Sequence, residues 1–248
     1  MLGILVLLVA GFLIGSFLNV CIHRIPRGGS VVVPSSRCPR CGHRLGAADL
    51  VPVLSWLLLR GRCRYCGGAV SLRYPLVELL TGFAFALVFL KTGFNLMLLK
   101  YLVLTSLLIT ASFIDLEHYI IPNQLIVFGL GSGLLLSPFT QPGIVSSLIG
   151  ALLTGGVLLL LAVASRGGMG GGDIKLAAVV GLYLGWSQGL LALFLAAVMA
   201  GAAGLVLMVL RIKGRKDYIA FGPGIAAGAF VTILWGESIV QWYLASFW

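Results

Sequence analysis

The sequence predicts an all-α polytopic membrane protein of about eight transmembrane helices, with a small cytoplasmic zinc-stapled insertion between helices 1 and 2. Three observations lead there. First, 60% of the 248 residues are hydrophobic and only 10% are charged, against about 45–50% apolar and about a quarter charged in an ordinary globular domain. Second, the apolar residues fall into runs that approach the roughly 20 residues a helix needs to cross a bilayer. Third, nearly all the basic residues fall on one side of the topology those runs define.

Eight apolar segments are read at 1–22, 75–90, 96–114, 124–138, 143–165, 174–187, 189–210 and 218–236. Helical period cannot be tested inside uniformly apolar runs, so length and flanking breakers carry the assignment. The breakers are Lys91–Asn95, Pro122, Pro138, Pro142 and the glycines at 167–172. The first run has no basic residue before it, and Arg24 and Arg27 follow it. A secretory signal has the reverse charge order, so this run stays as a first transmembrane helix with its N-terminus outside. The fourth and sixth segments are short, which implies tilt or helix ends that continue past the bilayer surface. The 34 glycines suit membrane helices that pack closely through small residues.

Alternating the segments places connections 23–74, 115–123, 166–175 and 211–217 on one side, with nine, zero, two and four Lys/Arg respectively. Only Lys91 and Lys100 lie elsewhere, flanking one external hairpin. Cytoplasmic loops carry the basic excess, so these four connections face the cytoplasm and both termini face outside. The net charge of +10 does not imply nucleic acid. Nine arginines sit in a loop tethered to the membrane at both ends, where anionic inner-leaflet lipids attract them. The chain thus divides into a first transmembrane helix (1–22), a cytoplasmic insertion (23–74) and a transmembrane bundle (75–248), embedded in a lipid bilayer.

The insertion holds four of the five cysteines, as Cys38-Pro-Arg-Cys41-Gly and Cys63-Arg-Tyr-Cys66-Gly, with 21 residues between the pairs. Each pair sets two thiolates on a tight turn, and the following glycine supplies the positive φ such a turn needs. Two such turns facing each other make a tetrahedral four-thiolate site of the structural zinc kind. The alternative, two disulfides, is disfavoured in a reducing cytoplasmic loop. Cys21, at the end of the first helix, reads as an ordinary packed residue.

The chain has seven acidic residues, Asp49, Glu78, Asp115, Glu117, Asp173, Asp217 and Glu237. Acids at or inside a membrane bundle are functional candidates. Asp115 closes the third segment and Asp173 opens the sixth, directly after Gly170-Gly-Gly172, and both lie on connections assigned to the cytoplasmic face. Two carboxylates sharing one site do not both ionise. One can then draw a proton from water while its protonated partner polarises a peptide carbonyl. The side-chain-free glycine run allows close approach of an extended substrate backbone. Against this stands the bland reading, with Asp173 an N-cap and Asp115 an interfacial residue ending its helix. Glu117 and His118 read as solvated loop residues, and Glu78 has no role from first principles.

These stretches resemble the prepilin peptidases, or type IV leader peptidases, intramembrane aspartyl proteases of the G-x-G-D class. The resemblance runs through Gly15-Ser-Phe-Leu-Asn-Val20 with His23-Arg-Ile-Pro26, both cysteine pairs, Pro52-Val-Leu-Ser-Trp56 and Arg73-Tyr-Pro-Leu-Val-Glu78-Leu-Leu-Thr-Gly82. Its most specific parts are Asp115 through Ile121-Pro-Asn123, and Gly170-Gly-Gly-Asp173-Ile-Lys175. Phe221-Gly-Pro-Gly224 is similar to a further family segment, which usually carries a bulky residue in place of Gly224. The resemblance implies an aspartic endopeptidase with Asp115 and Asp173 as catalytic residues. Its substrates would be type IV prepilins or type II secretion pseudopilins, cut after a glycine at the cytoplasmic membrane face. Members with the cysteine-bearing insertion also methylate the new N-terminus with S-adenosylmethionine, so a second activity is implied, although no residue pattern here marks the donor's pocket. The same resemblance leaves zinc, held by Cys38, Cys41, Cys63 and Cys66, a structural role. Signal-peptide peptidases and presenilins share the G-x-G-D class but lack the four-cysteine insertion. A transporter or channel with a regulatory zinc-ribbon loop is the alternative from another class, and it would place acids near the bilayer midplane rather than at segment ends.

Overall fold

A computed structural model describes residues 1–165, 169–212, 214 and 219–247. Gly167 and Gly168 of the glycine run, Asp217, and three of the four basic residues at 211–217 lie outside the described residues. The described chain is helical: α1 (Leu2–Arg24), α2 (Leu54–Leu58), α3 (Arg73–Thr92), α4 (Leu96–His118), α5 (Asn123–Leu136), α6 (Ile144–Ala164), α7 (Gly171–Val209) and α8 (Gly222–Phe247), with short 3-10 turns after α1, before α2 and after α5. Among the described residues the only extended pairings are two isolated antiparallel bridges, Arg37 with Arg44 and Arg62 with Ala69.

Six of these helices are long and apolar enough to cross a membrane, on α1, α3, α4, α6, α7 and α8. α5 and its 3-10 turn, Asn123–Phe139, form a shorter apolar helix. The expected sixth and seventh segments run on as one 39-residue element, α7, broken where Gly185 takes φ 79° and ψ 179°. A straight helix of that length would span ~59 Å, about twice the hydrocarbon core, so the break turns one over-long run into two. Other boundaries also move. α4 continues through Glu117 and His118 to the left-handed cap at Tyr119, so both residues belong to a helix rather than a loop. There Glu117 is exposed and His118 half-buried. α8 runs to Phe247, well beyond the expected 236, because no proline interrupts 225–247 and Gly236 is carried within the helix.

The chain separates into two compact units, Met1–Gly93 and Phe94–Trp248. In the first, α1 and α3 pack along each other with the insertion between them in sequence. A Cβ on Gly11 would lie 2.6 Å from the Gly82 Cα, so these two helices approach as closely as backbones allow. In the second unit α7 packs on α6 and on α8, and α4 packs on α8. Thr154 holds α6 to α7 by donating to the Ala177 carbonyl (2.7 Å), and Ser132 on α5 meets the Tyr183 hydroxyl (2.7 Å). Large apolar side chains such as Leu152, Leu160 and Val163 point outward from α6, as a lipid-facing surface requires.

Candidate functional site

The two cysteine turns are built alike. In the first, the Gly42 N–H donates to the Cys38 carbonyl (2.9 Å) and the Cys38 N–H to the His43 carbonyl (2.9 Å). In the second, Gly67 donates to Cys63 (2.9 Å) and Cys63 to Gly68 (2.8 Å). Gly42 and Gly67 sit at φ 72° and 67°, the left-handed region closed to most side chains. The turns meet: the Cys38 and Cys66 sulfurs are 3.9 Å apart, and all four Sγ atoms lie within 4.8 Å of one another. Zn–S bonds of about 2.3 Å in a tetrahedron require sulfurs about 3.8 Å apart, so the thiols are spaced to hold one ion. The backbone N–H groups of Cys41 and Arg40 pull the Cys38 thiol down to about 6, whereas burial and the neighbouring Cys38 and Cys66 sulfurs push the Cys41 thiol up to about 11.

The rest of the insertion braces these turns. The His43 and Tyr65 rings stack across them with centroids 3.6 Å apart. Asp49 accepts from the Gly46 N–H (3.0 Å), Arg64 Nε (2.8 Å) and the Tyr65 hydroxyl (3.0 Å). Those donors, the Gly46 N–H first, hold the Asp49 carboxyl below the usual carboxylate range. Cys21 is buried on α1 with a free thiol, as read from the sequence.

In the second unit the structure brings the two predicted aspartates together. Asp115 lies on the last turn of α4 and is 4% exposed; Asp173 lies on the first turn of α7 and is 5% exposed. They are near enough for Asp115 to act electrostatically on Asp173. The N-cap of α7 is Gly170, and its backbone N–H bonds the carboxyl of Asp173 three residues on. The flanking stretches also meet, since Lys175 Nζ donates to Asn123 Oδ1 (2.8 Å) and a Cβ on Gly172 would touch the Ile121 Cβ at 3.0 Å.

The oxygens of the pair have different partners. Asp115 Oδ2 accepts the buried Gly222 N–H from the start of α8 (2.9 Å), whereas Asp173 Oδ1 is buried with no hydrogen-bond partner. A buried acceptor left unpaired is costly, and here it belongs to a carboxyl that already sits beside another. The Gly222 contact spans 107 residues and was not readable from local pattern; its only trace was the Phe221-Gly-Pro-Gly224 segment.

Two family models cover most of the chain. The bacterial peptidase A24 N-terminal domain matches residues 9–92, and the type IV leader peptidase family matches residues 102–205. The chain belongs to the type IV leader peptidase family. The similar proteins include the prepilin leader peptidase/N-methyltransferase of Aeromonas hydrophila, 37% identical over 269 residues that cover 95% of this chain and 91% of the relative. The protein of the same name from Bacillus subtilis (strain 168) is 34% identical over 244 residues, covering 96% and 97%. That from Myxococcus xanthus (strain DK1622) is 43% identical over 210 residues, covering 82% and 62%. No solved structure matches significantly. This peptidase is a multi-pass membrane protein in which the boundary between the two family models coincides with the boundary between the two compact units.

Proposed function

We propose that the chain is a prepilin leader peptidase and N-methyltransferase whose peptidase centre is the Asp115–Asp173 pair. Family membership and the names of the relatives support the activity. The observation that carries the site is the buried, unpartnered Asp173 Oδ1 beside a carboxylate whose Oδ2 is already engaged by Gly222. Such an oxygen suits a lytic water. With one carboxyl ionised and the other protonated, the ionised group takes a proton from water as its oxygen attacks the glycyl carbonyl carbon. The protonated partner donates to the carbonyl oxygen. Collapse of the tetrahedral species breaks the C–N bond, and the proton taken from water passes to the leaving amine. No covalent enzyme intermediate forms.

The distribution of Lys/Arg supports a location for this pair at the cytoplasmic face of a bacterial inner membrane, with both termini outside. The substrates are prepilins or pseudopilins. The four thiols hold zinc, which staples an insertion too small to bury a core of its own. The ion takes no part in hydrolysis, because four thiolates leave it no open position. S-adenosylmethionine supplies the methyl group for the second activity. The decisive test is cleavage of a prepilin-like peptide in detergent by wild type, Asp115→Asn and Asp173→Asn, with folding followed by thermal melt. Loss of cleavage in both folded variants supports the assignment; near-full activity in either one removes it.

A further inference from the structure

The N-terminal unit contains a cavity of about 590 Å³ that peptide hydrolysis does not use. This size lies inside the ~300–1,000 Å³ range of small-molecule sites. Its wall combines the inner ends of α1 and α3 with the insertion. Asn19, on α1, is 2% exposed. Its Nδ2 donates to the carbonyls of Tyr74 (3.1 Å) and Gly15 (3.3 Å), which fixes the amide, and its Oδ1 is buried without a partner. Glu78, on α3, is 7% exposed and accepts the Val53 N–H at 2.7 Å. To make that bond Val53 takes φ 61° and ψ −51°, a conformation that β-branched residues avoid and that folds retain where it serves a site.

The chemistry of the wall narrows the ligand. A buried carboxylate calls for a cationic group, and the Asn19 oxygen calls for an N–H or O–H donor. Arg37 and Arg62 border the same cavity and suit a carboxylate. Trp56, held in place by its Nε1 bond to the Val70 carbonyl (3.1 Å), offers a face for a flat heteroaromatic ring. A cation, an anion, polar hydrogens and an aromatic ring occur together in one small molecule that the second activity needs.

We infer that this cavity is the S-adenosylmethionine site of the N-terminal unit, with Glu78 and Asn19 as the buried groups that hold the donor. The inference rests on the methyltransferase reading above. The bound donor supplies an electrophilic methyl carbon: the neutral amine's lone pair forms the N–C bond, the C–S bond breaks with both electrons on sulfur, and a secondary ammonium is left. Glu78 balances the donor's positive charge, and the side-chain amide of Asn19 orients it. This gives Glu78 the role that sequence alone could not assign.

The test is equilibrium binding of S-adenosylmethionine to the purified full chain in detergent, by calorimetry, for wild type, Glu78→Gln and Ser55→Phe, with thermal melts to verify folding. Glu78→Gln keeps an acceptor for the Val53 N–H and removes the charge. Ser55→Phe fills the cavity from α2, so it tests the location without altering a buried polar group. Both should weaken binding by at least about tenfold, a shift of about 1.4 kcal/mol. Wild-type binding retained within about twofold in both folded variants, a difference too small for a lost charge contact, overturns the site while leaving the methyltransferase reading intact. A wild type that cuts prepilin peptide but binds no S-adenosylmethionine overturns the reading and the site with it.

Discussion

The two units hold their reactive groups by opposite means. In the N-terminal unit four thiols are set by two local turns, each closed by backbone bonds between near neighbours in sequence and each followed by a left-handed glycine. In the C-terminal unit two carboxylates are brought together by helix packing, one at the end of α4, the other at the start of α7, with α8 donating a backbone N–H to the first. The first arrangement can form from a short stretch of chain once a metal closes it. The second exists only when three helices are in register. A local perturbation should therefore abolish one centre and spare the other.

The strongest test of that independence is the pair of conservative substitutions at the carboxylates. Asp115→Asn and Asp173→Asn should each lower peptide cleavage by about a thousandfold or more, the range lost with a general acid or base. Metal content and S-adenosylmethionine binding should remain at wild-type levels. A fall in metal content would show that the units do not behave separately. The reciprocal change is Cys63→Ser at a buried thiol of the four-cysteine cluster. Metal bound per chain should drop from about one to none, measured by atomic absorption, and methyl transfer should go with it, while cleavage stays within a few-fold (roughly 1 kcal/mol) of wild type. Abolished cleavage in a protein that still melts cooperatively would give the ion a part in hydrolysis and contradict the comparison.

The same contrast explains what the sequence reveals. Both cysteine turns were legible because spacing and glycine position are local properties. The membrane segments were legible because lipid as solvent leaves a compositional mark, although the continuity of α7 across Gly185 was not, since two short runs and one broken helix look alike in composition. The aspartates were legible as residues, but their partner was not. Nothing near position 222 announces that its N–H reaches Asp115, and nothing near Val53 announces that its strained backbone reaches Glu78. The Gly222 contact sets a third, smaller expectation. A Cβ there would lie 2.7 Å from Asp115 Oδ2, so Gly222→Ala must displace either the carboxylate or the start of α8. We expect kcat to fall by about tenfold, or 1.4 kcal/mol, with KM and metal content little changed. Wild-type kcat in this variant would remove Gly222 from the set of groups that position Asp115.

The smallest effect separates support of the metal turns from the turns themselves. Asp49 ties Gly46, Arg64 and Tyr65 together beside the thiols without being a ligand. Its folded pKa is lowered, so its contribution is fully present above the ordinary carboxylate value of about 3.9 and is lost as pH falls through the lowered one. Because Arg64 is half-exposed, the ion pair is screened by solvent and adds little. Asp49→Asn should therefore speed metal release to a chelator by only about twofold at pH 7, in keeping with a weak surface pair, with cleavage unchanged. An effect as large as that of Cys63→Ser would mean that the turns depend on the surrounding insertion for their geometry. The contrast between a locally specified centre and a packed one would then be one of degree, with Asp49 doing for the thiols what Gly222 does for Asp115.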